Sequence, residues 1–335
     1  MEGPCNPAPM HESMEIVFLG TSASWPTAER NVPAVAVKRG SEILLFDCGE
    51  GTQRQFQKSK LSYMQVDKIF LTHLHADHFL GVTGLVQTMR MNERTEPLHL
   101  YGPPGTKELM EMLTSIGKSR GGFQIRIREM TPGDEVAFKD YVVRAYEMRH
   151  TTYALGYALI ENDRPGRFNK ERALELGVPE GRMFGALQRG ESVTLKDGRV
   201  VTPEEVLGPA RRGRKVCYTG DTVPCEGVVE MATGADVLIH EATYASDFKD
   251  ANLYGHSTSQ QAAFMAHRAG VGRLFLTHIS PRYTNAKVLV DEARKLFPES
   301  HEARDFLEFV VKFPQDADAA PAAEAATEAA KPPTG

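Results

Sequence analysis

Three histidines and an aspartate fall within six residues, His73-Leu74-His75-Ala76-Asp77-His78. They follow Val66-Asp67-Lys68-Ile69-Phe70-Leu71, an apolar run of strand length, and precede residues 79–86, which can begin a helix. The motif therefore reads as a strand-to-helix turn. His73 and His75 are two apart, so near the end of an extended segment they point the same way and can chelate one ion. Asp77 and His78, displaced where the backbone turns, can face a second ion, and oxygen plus imidazole is a donor set that suits zinc and tolerates manganese. A solvated loop would account for one histidine. It does not account for this cluster at the end of a buried strand. The helix-borne His-Glu-x-x-His arrangement is absent.

The elements that must position such a site can be read along the chain. Residues 15–19 form a strand pattern, 34–37 and 43–46 a hairpin, and 98–101 a further strand, with helical periodicity over 103–116 ended by Gly117. The turn at Asp47-Cys48-Gly49-Glu50 reads as a support that positions the histidine loop. A half-site of His73 and His75 needs a third protein ligand, and His150, just beyond a strand at 141–148, is the candidate. Two cations held close together need a bridging carboxylate, which Asp221 supplies after the strand at 216–219. Strands at 237–243 and 274–277 follow, the second with His278 beyond its end. Between them Thr258 and Gln261 cap a helix over 259–269 that Gly270 stops, and a last helix runs over 285–297. His73, His150, Asp221 and His278 each stand at the C-terminal end of a strand, so they can converge on one sheet edge. His11, His99, His267 and His301 lack this setting and are assigned no function.

The 335 residues are 41% hydrophobic and 25% charged, enough for a large core in one α/β domain with insertions. A net charge of -5 excludes a generally basic surface for unspecific nucleic-acid binding, and no DNA partner is expected. Cysteines at 5, 48, 217 and 225 show no close pairing or metal-type spacing, which fits a reducing cytoplasm. No apolar run approaches the ~18 residues of a membrane span, and no leader pattern opens the chain. Residues 1–13 read as a Pro-rich tail and 314–335 as a disordered Ala- and Pro-rich tail. Residues 161–215 differ from the rest, carrying 12 Arg or Lys against 9 Asp or Glu, which reverses the sign of the whole chain. Arg164, Arg167, Lys170 and Arg172 open this segment, and Arg211, Arg212, Arg214 and Lys215 close it. Such clusters can engage phosphates.

Taken with Phe18-Leu19-Gly20-Thr21-Ser22-Ala23, Pro26-Thr27, Arg30-Asn31, residues 45–55, Gly220-Asp221-Thr222, His240-Glu241-Ala242-Thr243 and Gly255-His256-Ser257-Thr258, the motif resembles the metallo-β-lactamase superfamily and, within it, the ribonuclease Z family. The resemblance covers roughly residues 14–313. It implies an α/β fold, the metallo-β-lactamase αββα sandwich of two mixed sheets over 14–313, with 161–215 as a protruding tRNA-binding arm. It implies two Zn2+ per subunit, the first held by His73, His75 and His150, the second by Asp77, His78 and His278, with Asp221 between them. A homodimer acting on precursor tRNA is implied as well, in which one subunit's arm can serve the other's site. Family arms often carry Gly-Pro where this chain has Gly181-Arg182.

The activity implied is removal of the 3′ trailer by hydrolysis 3′ of the discriminator nucleotide, leaving a tRNA 3′-hydroxyl and a trailer 5′-phosphate. Asp77 would accept the proton of the attacking water. His256, outside the ligand set, is the candidate general acid, with Glu241 orienting it. Two competing readings share the fold. A hydrolase of small phosphodiesters, thioesters or lactones would need neither the 161–215 insertion nor the Gly-His-Ser-Thr motif. A noncatalytic tRNA-binding protein would be expected to have lost ligands, and all seven are present.

Overall fold

A computed structural model describes residues 13–116 and 122–314; the tail expectations for 1–12 and 315–335 and the stop at Gly117 lie outside these. Two seven-stranded mixed sheets form the frame. The first runs, in spatial order, Glu308–Val310, Met14–Gly20, Ala34–Arg39, Glu42–Phe46, Val66–Phe70, Leu98–Gly102 and Ile125–Glu129. Its first four strands pair antiparallel and the rest parallel. The second runs Ser300–Glu302, Leu274–Thr277, Val237–Glu241, Lys215–Tyr218, Tyr153–Glu161, Tyr141–Arg149 and Glu135–Ala137. Both are the mixed sheets expected from the sequence.

The central strands are apolar on both faces because each sheet is covered twice, whereas Ile125–Glu129, Glu135–Ala137 and Glu308–Val310 at the edges are not. Ile16 and Phe18 join Phe46, Phe70, Val143, Tyr157, Ile239 and Phe275 in a core built from both sheets. Val17 and Leu19, one position out of phase, pack instead in a cluster with Val82, Leu85, Met89 and Met110 of the helices Gly81–Met91 and Thr106–Ser115. On the other sheet, Cys217, Leu238 and Leu276 bury the helices Glu226–Ala232, Ser259–Ala269 and Lys287–Arg294. Helix, sheet, sheet and helix thus form four layers.

The helix Ser259–Ala269 has the capping box expected: Thr258 Oγ1 accepts from Gln261 N, Gln261 Oε1 accepts from Thr258 N, and Gly270 ends it at φ 61°. The last helix is shorter than the expected 285–297, covering Lys287–Arg294: at its start Asn285 folds its side chain onto the Lys287 amide, and at its end the Leu296 and Phe297 amides both turn back onto the Ala293 carbonyl. The chain clusters into two compact units, one of them containing Asn162–Gly213. That unit has a small apolar core of its own, with Ala173, Val178, Leu187, Val193, Leu195, Val201 and Val206 buried together. It includes two short helices, Lys170–Glu175 and Arg182–Gln188, and the hairpin of Val193–Thr194 with Val200–Val201. No helix among the described residues is long and apolar enough to cross a membrane.

Candidate metal centre

The strand Val66–Phe70 ends two residues before Thr72, and the loop Thr72 to His75 leads directly into the short helix Ala76–Phe79. The second sheet grips this loop: Leu155 N donates to the Thr72 carbonyl at 2.8 Å, and Tyr157 OH donates to the Leu71 carbonyl at 2.8 Å. His150 follows the strand Tyr141–Arg149, Asp221 lies three residues past Lys215–Tyr218, and His278 immediately follows Leu274–Thr277. Strand ends therefore deliver all four to one edge.

Ligand-capable atoms of His73, His75, His150 and Asp221 lie within 4.8 Å of one another, as do those of Asp77, His78 and His278, and those of Asp221, His256 and His278. Asp221 sits against both histidine groups. Its Oδ2 is 3.7 Å from His73 Nε2 and 3.4 Å from His78 Nε2, and its Oδ1 is 3.3 Å from His278 Nε2.

The hydrogen bonds at the outer edge of the cluster decide which way the imidazole lone pairs point. Thr72 Oγ1 donates to Asp47, so it accepts from His73 Nδ1 at 3.0 Å. His150 Nδ1 donates to the Gly255 carbonyl at 2.7 Å, and His78 Nδ1 donates to Asp47 Oδ2 at 2.7 Å. Thr243 Oγ1 donates to Glu241 and accepts from His278 Nδ1 at 2.9 Å. With Nδ1 carrying the hydrogen in each of these four rings, Nε2 presents a lone pair inward. The Nε2 atoms of His78 and His278 and Oδ1 of Asp221 are buried and have no hydrogen-bond partner. Burying unpaired polar atoms costs about 1–3 kcal/mol each. A cation among them would satisfy all three, and the donor set, imidazole plus carboxylate, fits a divalent metal.

Electrostatics divide the cluster: against the effect of burial, Asp221 and Asp47 raise His78 well above its usual range, holding a proton that a cation at Nε2 would displace. Burial, with His78 nearby, pushes the His73 imidazole well below its usual range, so it stays neutral and able to ligate. Burial alone would raise Asp77, but His278 and His78 overcome it and hold that carboxyl down at about 2. The backbone amide of Ser24 donates to Asp77 Oδ2 at 3.0 Å. His256 lies beside the cluster with Nδ1 2.9 Å from Glu241 Oε1. Burial works against its charged form, yet the Glu241 carboxylate more than offsets this and raises His256 to about 9. Glu241 is itself fixed by Thr222 N at 3.2 Å, Thr243 N at 3.0 Å and Thr243 Oγ1 at 2.7 Å.

All nine singled-out residues thus gather at one edge, whereas His99, His267 and His301 do not join the metal-capable groups. Asp47 supports the histidine loop rather than facing the cluster centre, accepting from Thr72 N, Thr72 Oγ1, His78 Nδ1 and Tyr218 OH. Sequence reasoning missed Thr72, Thr243 and Tyr218 as supports. The adjacency of Thr72 to His73 was the available signal. Asp47 and His278 adopt left-handed φ values of 55° and 56°, the kind of local strain that functional sites hold in place.

Gly220 is needed where it stands. At φ 59°, an added Cβ would lie 2.6 Å from Cβ and Oγ1 of Thr72. Gly220→Ala is expected to cost about 1–3 kcal/mol, read by urea unfolding, because both the φ and the close approach oppose it. Stability equal to the wild type would show that the loop yields freely.

The family model described as anti-Pycsar protein Apyc1 matches residues 14–164, and the one described as beta-lactamase superfamily domain matches 186–279. Ribonuclease Z of Methanosarcina mazei is 48% identical over 305 residues, 90% of this chain and 100% of its own. Ribonuclease Z of Archaeoglobus fulgidus is 47% identical over 302 residues, 89% of this chain and 98% of its own. The crystal structure of human tRNase Z, short form, superposes with a TM-score of 0.65 at 28% identity, covering 90% of this chain and 100% of that one. The metallo-beta-lactamase fold protein YhfI of Bacillus subtilis reaches 0.66 at 18% identity over 89% of this chain and 99% of its own, a likeness of fold.

Proposed function

Because the chain belongs to the ribonuclease Z family, we propose that it hydrolyses the phosphodiester 3′ of the discriminator nucleotide in precursor tRNA. The observation that carries the chemistry is the gathering of His73, His75, His150, Asp77, His78, His278 and Asp221 around one centre, with Nε2 of His78 and of His278 and Oδ1 of Asp221 buried and without a hydrogen-bond partner. His73, His75 and His150 would hold one zinc ion and Asp77, His78 and His278 a second, with Asp221 serving both; the same donors accept manganese. Bound there, divalent cations supply charge neutralisation for the phosphoryl oxygens and bring the pKa of water toward neutrality.

The chain's own residues carry the proton traffic. Asp77, oriented by the Ser24 amide and partly exposed, accepts the attacking water's proton and releases it to solvent. As the new P–O bond forms, the bond to the ribose 3′-oxygen breaks. His256, charged at neutral pH and anchored through Nδ1 by Glu241, delivers a proton from Nε2 to that oxygen. The products are a tRNA 3′-hydroxyl and a trailer 5′-phosphate.

The basic residues of 162–213 would grip the phosphates of the folded tRNA body by shape and charge, without reading bases, whereas Arg214, buried against Glu161, takes no part in that contact. In that segment Arg164 faces Arg211 in an antiparallel bridge, so a short glycine turn can replace the residues between them. That deletion is expected to raise KM for pre-tRNA about 100-fold while leaving kcat/KM for bis(p-nitrophenyl) phosphate within about threefold. Equal loss on both substrates would end the division of labour. A homodimer and a cytoplasmic location extend the same reading, and sedimentation tests the first.

Metal-loaded protein incubated with a pre-tRNA carrying a 3′ trailer, beside a His75→Ala control, is the direct test. Cleavage next to the discriminator, lost in the control, is expected. Intact RNA with folded, metal-replete protein would move the reading to small phosphodiesters, thioesters or lactones.

A further inference from the structure

A buried ionic cluster stands where the chain leaves for residues 162–213 and where it returns. Glu161 is the last residue before that unit and Arg214 the first after it. Arg214 Nε donates to Glu161 Oε2 at 2.7 Å and its Nη2 donates to Oε1 at 2.7 Å, a two-pronged contact. The Glu161 amide also donates to the Arg214 carbonyl at 2.9 Å. From the other sheet, Arg39 donates through Nη2 to the same Glu161 Oε1 at 2.9 Å and to Asp140 Oδ2 at 2.9 Å. The Arg39 guanidinium lies 4.3 Å from the centroid of the Tyr141 ring. Side-chain exposure is only 2% for Arg39, 7% for Glu161 and 3% for Arg214.

Well-packed apolar side chains of similar volume would hold a sheet edge without desolvating three charges. What they lack is direction, because the planar guanidinium fork accepts a carboxylate in few orientations. The fork sits on a paired ribbon. Lys215 faces Ile160 and Tyr218 faces Tyr157 in the sheet, and within the 162–213 unit the same antiparallel register recurs at Arg164 with Arg211 and Phe168 with Leu207. A slip of one residue would turn every side chain of one crossing to the opposite face.

We propose that the Arg39–Glu161–Arg214 cluster is a positioning device that locks the register of the two chain crossings and so governs how the basic residues of 162–213 are presented to precursor tRNA, while taking no part in phosphodiester cleavage. The inference rests on the proposed function. Two variants test it, Glu161→Gln and the apolar triple Arg39→Met, Glu161→Leu, Arg214→Met, the second designed to restore packing where the first leaves two guanidinium groups short of a charge. Each is assayed on pre-tRNA and on bis(p-nitrophenyl) phosphate, with thermal unfolding measured in parallel. A KM for pre-tRNA raised about tenfold, with kcat and the small-diester kcat/KM within about twofold, is expected for the triple variant even where its thermal midpoint matches the wild type. A folded triple variant with wild-type KM for pre-tRNA overturns the proposal, since the cluster would then serve stability alone. Parallel loss on both substrates overturns it as well. Failure of the wild type on pre-tRNA, with small-diester activity intact, removes the underlying reading and this one with it.

Discussion

Asp221→Asn is expected to lower kcat/KM about 1,000-fold on pre-tRNA and on small diesters alike, and to release metal on dialysis against a mild chelator. The argument is one of charge at constant shape. Asp221 is buried, and its two oxygens reach imidazole nitrogens of both histidine groups, at 3.7 Å for His73 and 3.3 Å for His278. Asparagine keeps the volume and removes the negative charge that would be shared between two cations. It also brings an NH2 group that cannot ligate and would compete with the cations for the inward-facing imidazole lone pairs. A Lewis-acid contribution of several kcal/mol, at 1.36 kcal/mol per tenfold in rate, gives the stated magnitude. Metal content by elemental analysis and the metal-induced rise in thermal midpoint should fall together, and wild-type protein stripped by chelator should behave like the variant until metal is returned. A folded Asp221→Asn protein that keeps both its metal and its activity within tenfold would falsify the assignment of Asp221 as the shared ligand.

Legibility in the sequence followed the physics of each element. The strand ends that carry the candidate ligands were readable because Lys215–Tyr218 and Leu274–Thr277, covered on both faces, write themselves as short apolar runs, while Tyr141–Arg149 shows as a buried-exposed alternation. The cap at Thr258 and the stop at Gly270 were readable because their hydrogen bonds are local. The strand Ile125–Glu129 was missed, since an edge strand alternating Ile with Arg looks like loop on composition. Tyr153–Glu161 was missed although eight of its nine residues are apolar or Gly; Gly156 interrupts it, and a Cβ there would meet Met148 and Met231, so the gap is a packing requirement. The short helices of the 162–213 unit carry too few turns for a period to register. At the site, the candidate ligands were legible as residue types with fixed spacing, but the hydroxyls that orient them were not. Thr243 and His278 are 35 residues apart, and only the parallel pairing of Val237–Glu241 with Leu274–Thr277 brings them together.

His256→Ala should separate proton delivery from metal chemistry. His256 is 13% exposed, which leaves it reachable from the cleft, while its partner Glu241 is buried and fully engaged by Thr222 and Thr243. That geometry fixes Nδ1 and leaves Nε2 for a leaving group. A ribose 3′-oxygen is a poor anion and needs the proton, so kcat on pre-tRNA is expected to fall about 100- to 10,000-fold with KM little changed. Nitrophenolate departs unprotonated, and kcat/KM for bis(p-nitrophenyl) phosphate should stay within about threefold. The contrast matters because His256 also groups with Asp221 and His278, its Nδ1 lying 3.9 Å from Asp221 Oδ2. Were it a ligand, its loss would damage both reactions equally and lower metal content, the pattern expected of Asp221→Asn. A selective loss on the substrate with the poor leaving group is a result that only an acid can give, and it would place Glu241 as the group that keeps that acid charged.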